Sequence, residues 1–155
     1  MRVFLASAIA LFLIHPAHAD DSKLTGTWKL KRWVMEDVDT KEQKPSPFGE
    51  RPAGYVLFTS SDRIFVLITA EDRKAAEGAE GQGAAFRSMY AYSGKYRLEE
   101  DRFITKVDIA GDEKWVGTEQ QRTYRVNGNT LTIESAPATQ AGKTVRGIVE
   151  WEREP

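Results

Sequence analysis

Thr118-Glu119-Gln120-Gln121-Arg122-Thr123-Tyr124-Arg125-Val126, then Asn127-Gly128-Asn129, then Thr130-Leu131-Thr132-Ile133-Glu134: this stretch decides the fold class. Side chains alternate with period two on both sides of an Asn-Gly pair, the strongest short signal for a β-hairpin. Working outward, the same pattern recurs. Residues 92–98 and 102–109 flank the turn Glu99-Glu100-Asp101, and residues 144–152 form a last strand ending in Trp151. Upstream, residues 55–58 and 64–69 are apolar runs around Ser60-Ser61-Asp62. In residues 27–35, Trp28, Leu30 and Val34 alternate with Lys29 and Lys31. That makes eight strands with mostly short antiparallel connections and no internal repeat. Eight strands close an up-and-down β-barrel whose interior suits side chains or one small ligand. A seven-stranded sandwich is the structural rival.

Two segments break the pattern. Residues 37–52 carry Pro45, Pro47, Gly49 and Pro52 and read as a polar loop. In residues 70–85, Glu71, Asp72, Arg73, Lys74 and two alanines start a short helix, which Gly78, Gly81 and Gly83 end. This stretch is a candidate flap.

The N-terminus reads as an export leader. Met1-Arg2 gives a positive start, residues 3–14 are apolar, and Ala17-His18-Ala19 offers small residues where a signal peptidase reads. The apolar run is too short to span a bilayer, so cleavage after Ala19 is expected. Residues 1–19 are then a signal peptide and residues 20–155 one periplasmic or secreted domain without a transmembrane segment. The chain has no Cys, and its two histidines, His15 and His18, leave with the leader. A Ser-His-Asp triad, a thiol nucleophile, a disulfide and an imidazole or thiolate zinc site are all excluded from the domain. No metal, cofactor or catalytic residue is assigned. Loss of Arg2 takes the net charge from −1 to −2 with both signs interspersed, which argues against a nucleic-acid partner.

Alternation also sorts the faces. Val126 points with Tyr124, Arg122 and Gln120, while Glu119, Gln121, Thr123 and Arg125 face solvent. On the neighbouring strands Phe103, Thr105 and Val107, and Tyr92, Tyr96 and Leu98, face inward. Val145, Val149 and Trp151 complete the wall. An inward guanidinium must meet a carboxylate, carbonyls, water or an anionic ligand, and no acid shares its register. It can therefore anchor a ligand, or simply satisfy loop carbonyls at a closed end. Arg122, Gln120, Tyr124, Tyr96, Tyr92, Thr105, Phe103 and Trp151 form the candidate ligand-binding set, an apolar wall with few polar groups. Trp115 follows a polar bend and is either a rim residue or a plug.

Gly26-Thr27-Trp28 opening the first strand and Trp151-Glu152-Arg153 closing the last resemble the calycin signature. Trp115-Val116-Gly117-Thr118-Glu119-Gln120-Gln121-Arg122, with Gly54-Tyr55, Ser61-Asp62-Arg63 and Tyr92-Ser93-Gly94-Lys95-Tyr96, resembles the bacterial and fungal lipocalin-like domain family. The likeness covers about residues 24–153. It implies a lipocalin-like barrel that holds a small molecule, with Gly26, Trp28 and Arg153 as structural signature: Trp28 plugs the closed end and Arg153 lies on its ring. Many members carry a histidine pair in the strand before Trp115; Thr105-Lys106 stands there in this chain, so family chemistry that needs an imidazole is absent.

The leading expectation is an exported, non-enzymatic binder of a small hydrophobic or amphipathic molecule, with or without an acidic group, held inside the barrel. One alternative is an isomerase or cyclase of a secondary metabolite in the same barrel, with Tyr and Arg as proton donor and charge stabiliser. Another is a loop-mediated inhibitor acting through residues 37–52 or 70–85.

Overall fold

The computed structural model describes residues 21–155, and the leader expected over residues 1–19 lies outside the described residues. The strands are β1 (Gly26–Asp37), β2 (Gln43–Pro45), β3 (Ala53–Phe58), β4 (Arg63–Thr69), β5 (Met89–Glu99), β6 (Arg102–Ala110), β7 (Glu119–Asn127), β8 (Thr130–Ser135), β9 (Ala138–Gln140) and β10 (Lys143–Arg153). Two helices, α1 (Asp21–Leu24) and α2 (Gly78–Arg87), and a 3-10 turn (Glu113–Trp115) complete the described chain. Neighbours run β2-β1-β3-β4-β5-β6-β7-β8-β10-β9, and β1 also pairs antiparallel with β10. That pairing closes the eight long strands into an up-and-down barrel, each with a long-strand neighbour on both sides over part of its length. The sandwich alternative falls with it.

The hairpin at Asn127 is tight. Asn127 pairs with Thr130, so Gly128 and Asn129 are the turn, and Gly128 alone takes a positive φ of 57°. A glycine at the first central position is the requirement of a II′ turn, whose twist matches the strands.

Three features depart from the sequence reading. First, residues 37–52 contain a strand. β1 pairs with β3 only through residues 26–29, so its upper half would be bare; β2 covers it, with Pro45 opposite Val34 on the sheet margin where a missing N–H is tolerated. Second, β1 changes face. Lys31 is an extra residue between Leu30, opposite Trp151, and Arg32, opposite Glu150. This bulge flips the alternation, so Trp33 and Met35 turn inward, and Val34 is buried on the outer side level with Pro45 and Ile148. Third, the helix lies later than expected. Residues 70–77 are extended or turning, with Asp72 at φ 54°, and Gly78, at φ 63°, opens α2 instead of ending a helix. Arg73 decides this: its guanidinium donates to the Ala85 carbonyl (3.1 Å) and Ser88 Oγ (3.0 Å), tying the extended leg to the helix C-terminus. A cation there also suits the helix dipole.

Apolar side chains fill the barrel. Trp28, Phe58, Phe103, Leu24, Ile64, Ile68, Leu131, Val56 and Val107 are fully buried, and Phe58 meets Tyr96 and Phe103 edge-on. One outer face breaks the polar-outside rule. Tyr55, Phe65, Leu67 and Ile109 on β3, β4 and β6 are 45–64% exposed. With apolar residues on both faces, β3 and β4 read in sequence as runs instead of alternation.

At one end the barrel is plugged. Trp28 Nε1 donates to the Leu24 carbonyl (2.8 Å), and the Arg153 guanidinium sits 4.0 Å from the centre of the Trp28 ring. Arg153 also donates to the carbonyls of Thr25 (2.8 Å) and Lys23. Gly26 has φ 132°, and a Cβ there would lie 2.8 Å from Arg153 Nη1. The three signature residues are thus one packing unit: glycine makes the space that arginine fills over tryptophan.

Candidate functional site

Above this plug the barrel encloses a cavity of about 130 Å³. Val56, Ile64, Val66 and Ile68 of β3 and β4 make one apolar wall. Tyr90, Tyr92 and Phe103 of β5 and β6 make the next. Arg122 of β7, Ile133 and Ser135 of β8, Gly147, Val149 and Trp151 of β10, and Trp33 and Met35 of β1 close the circle. Each is delivered by alternation within its own strand and by the ladder that joins it to its neighbours.

Arg122 supplies the charge. Its Nη2 donates to Tyr90 Oη and Gln120 Oε1, both at 3.2 Å, and its Nη1 donates to the Gln121 carbonyl at 2.7 Å. Among the described residues no carboxylate forms an ion pair with it. Burial works against its charge, but the neighbouring Tyr90 and Tyr92 oxygens outweigh that and move its pKa upward. Burial likewise pushes the Tyr92 phenol up, with the Tyr90 hydroxyl adding to the effect. Both groups hold their ordinary charge across the neutral range: the guanidinium is positive, the phenol neutral.

An aromatic collar stands around this site. Trp33 stacks on Phe48 (4.9 Å between centroids) and meets Tyr90 edge-on at 5.6 Å. Trp115 packs against Tyr90 at 4.8 Å and Tyr92 at 5.8 Å, so it is neither a plug at the Trp28 end nor a loose rim residue, but part of this collar. The loop bearing Phe48 is fastened from below: the Glu71 carboxylate accepts from the backbone N–H groups of Glu50 (2.9 Å) and Arg51 (3.1 Å). Gly49, at φ 95°, allows that approach, since a Cβ there would lie 2.1 Å from Glu71 Oε1.

Of the residues singled out by alternation, Arg122, Tyr92, Phe103 and Trp151 line the cavity. Gln120 stands beside it as an acceptor for Arg122. Tyr96, Tyr124 and Thr105 do not reach it. Tyr96 belongs to the packing with Phe58 and Phe103, Tyr124 packs on Phe103 at 6.0 Å, and Thr105 is fully buried with its methyl against Gly94. Their inward direction is right, but they occupy rows filled by core. Trp33, Met35, Tyr90, Ser135 and Gly147 escape the sequence reading. The first two lie beyond the Lys31 bulge, which alternation does not announce. Tyr90 needed only a strand beginning at Met89 instead of Tyr92.

A family model described as a lipocalin-like domain matches residues 25–154. The chain is also similar to the 4'-hydroxy-3'-methoxypropiophenone carrier protein ppsC of Aspergillus oryzae. The two are 26% identical over 85 residues, which is 49% of this chain and 77% of that protein. No solved structure matches the chain.

Proposed function

We propose that this chain, which belongs to the lipocalin-like domain family, binds and carries a small, mostly apolar molecule inside its barrel, with Arg122 as the polar anchor for an acidic group when the ligand has one. The observation that carries this reading is the cavity itself: apolar walls on every side and one guanidinium that pairs with no carboxylate among the described residues. The curated relative supports the role, since its name makes it a carrier of one small organic molecule. Export is part of the proposal and rests on the leader-like residues 1–19, which lie outside the described residues. The intact mass of protein from its host tests it: a species still carrying those residues in the mature pool overturns export.

Native mass spectrometry of the protein from its own host should reveal a co-purifying small molecule, recovered chemically unchanged. Turnover of that molecule by the protein would replace the carrier reading with an enzymatic one. The anchor is tested with benzoate against ethylbenzene. A charged hydrogen bond in a dry site contributes about 1.5–3 kcal/mol. Arg122→Met should therefore weaken benzoate roughly ten- to hundredfold and ethylbenzene far less. Equal losses for both probes would make Arg122 a structural residue.

A further inference from the structure

Alternation should leave polar side chains on the outside of a closed barrel, yet the outer wall of β3 to β6 is apolar. Ladder pairing sets it out in two rows. Tyr55, Leu67 and Ala91 stand side by side in one, and Phe65, Ser93 and Ile109 in the next. A second bulge puts Ile109 there. Asp108 is an extra residue between Val107, opposite Gly94, and Ile109, opposite Ser93, and both Asp108 and Ile109 are exposed. The small residues of β5 floor an open trough of about 580 Å³, with Phe65 and Leu67 on one bank and Ile109 on the other. Ser93 is buried, and its hydroxyl accepts from Arg63 Nη1 (3.1 Å).

The border of this wall is basic. In the next row toward the plug, Arg63, Lys95 and Lys106 lie side by side across β4, β5 and β6, and Lys29 stands opposite Tyr55 on β1. The nearby acids are held: Asp108 by Arg63 (2.7 Å) and Glu119 by Arg97 (2.8 Å). Lys95 and Lys106 donate to the neutral carbonyls of Ser61 and Gly117, so their charge stays at the surface. With Asp62 at the adjoining turn included, five cations (Lys29, Arg63, Lys95, Arg97, Lys106) stand against three acids (Asp62, Asp108, Glu119), a border that is net positive by two.

Area and charge together choose the occupant. At 45–64% exposure, Tyr55, Phe65, Leu67 and Ile109 offer a few hundred Å² of apolar surface. That falls short of the about 800 Å² that each partner brings to a standard protein interface. A second copy would also bring the same cations to the contact, where like charges oppose association. An anionic bilayer surface meets both conditions: hydrocarbon for the exposed side chains, phosphate headgroups for the lysines. We propose that this wall docks on anionic lipid, with Phe65, Leu67 and Ile109 at the acyl boundary and Lys29, Lys95 and Lys106 among the headgroups. The inference stands on the outer face and does not depend on what the barrel holds.

The test is co-sedimentation with vesicles of phosphatidylcholine alone and of an equal mixture with phosphatidylglycerol. Protein from its host is compared with its own variants, so that residues 1–19, where retained, contribute equally to each. The parent should partition onto the mixed vesicles and be released by added salt. Lys95→Gln with Lys106→Gln should weaken that partitioning roughly tenfold or more, and so should Phe65→Thr with Leu67→Thr. Neither pair lines the barrel cavity. In the unsubstituted protein, a nitroxide-bearing lipid in the mixed vesicles should broaden the resonances of Phe65, Leu67 and Ile109 and spare those of Thr123 and Arg125 on β7, a readout that needs no variant to fold. Equal partitioning of parent and variants, or equal broadening of the two walls, overturns the proposal. A dimer in solution that Phe65→Thr with Leu67→Thr dissociates gives the face to a second copy instead. A monomer that ignores both vesicles leaves it to a soluble partner, and lipid docking fails.

Discussion

The plug and the cavity are each built with indoles and one arginine, and they use them oppositely. At the plugged end Trp28 donates to the Leu24 carbonyl, and Arg153 covers the ring and holds two further carbonyls. Around the cavity the buried indole N–H groups of Trp33 and Trp151 have no acceptor among the described residues, and Arg122 rests on neutral oxygens. Satisfied donors lock a structure, whereas a buried donor without an acceptor is destabilising. The difference teaches that residue type does not separate a structural signature from a binding site. What separates them is whether the chain supplies its own acceptors.

The comparison predicts a ranked set of effects. Trp28→Ala should cost the most, ~3–5 kcal/mol in denaturant unfolding, because a large, fully buried side chain is deleted. A variant as stable as the parent would break the plug interpretation. Arg153→Met should cost roughly 1–3 kcal/mol, from the lost ring contact and the carbonyls left without a donor. Arg122→Met is its counterpart at the other end and should move stability by less than about 1 kcal/mol in either direction, while changing ligand preference. If the two arginine variants lose equal stability, the contrast between the ends fails.

The smallest effect lies outside the barrel. Gln43 and Arg146 hydrogen-bond to the Glu36 carboxylate and hold it below its ordinary value of 4.5, with Arg146 Nη2 at 2.8 Å. A lowered folded-state pKa means that this contribution to stability is present above about pH 4.5 and is lost as pH falls through the folded value. Glu36→Gln should flatten the stability profile between roughly pH 5 and 3 without touching ligand preference. An unchanged profile would show that the pair contributes nothing, as is common for ion pairs near water.

The eight long strands were legible because side-chain alternation is local and turn residues such as Gly128 carry their own backbone requirement. The inward direction of Arg122, Tyr92, Phe103 and Trp151 was legible for the same reason. The short strands β2 and β9 were not, since three residues give no period and their existence depends on the uncovered margins of β1 and β10. The position of α2 was not either, because Arg73 reaches across twelve residues to fix it. Alternation also cannot tell that Tyr96 and Thr105 fall in rows packed solid while Tyr92 falls beside open space. The sequence by itself determined an all-β chain, the face of most side chains and the absence of thiol and imidazole chemistry beyond His18. Only the tertiary structure decided that Trp33 turns inward past the Lys31 bulge, that β1 meets β10 across more than a hundred residues, and that Arg122 borders a cavity while Tyr96 is packed solid. The physical reason is that a face is set by neighbours in the chain, whereas pairing register and the space between rows are set by partners far along it.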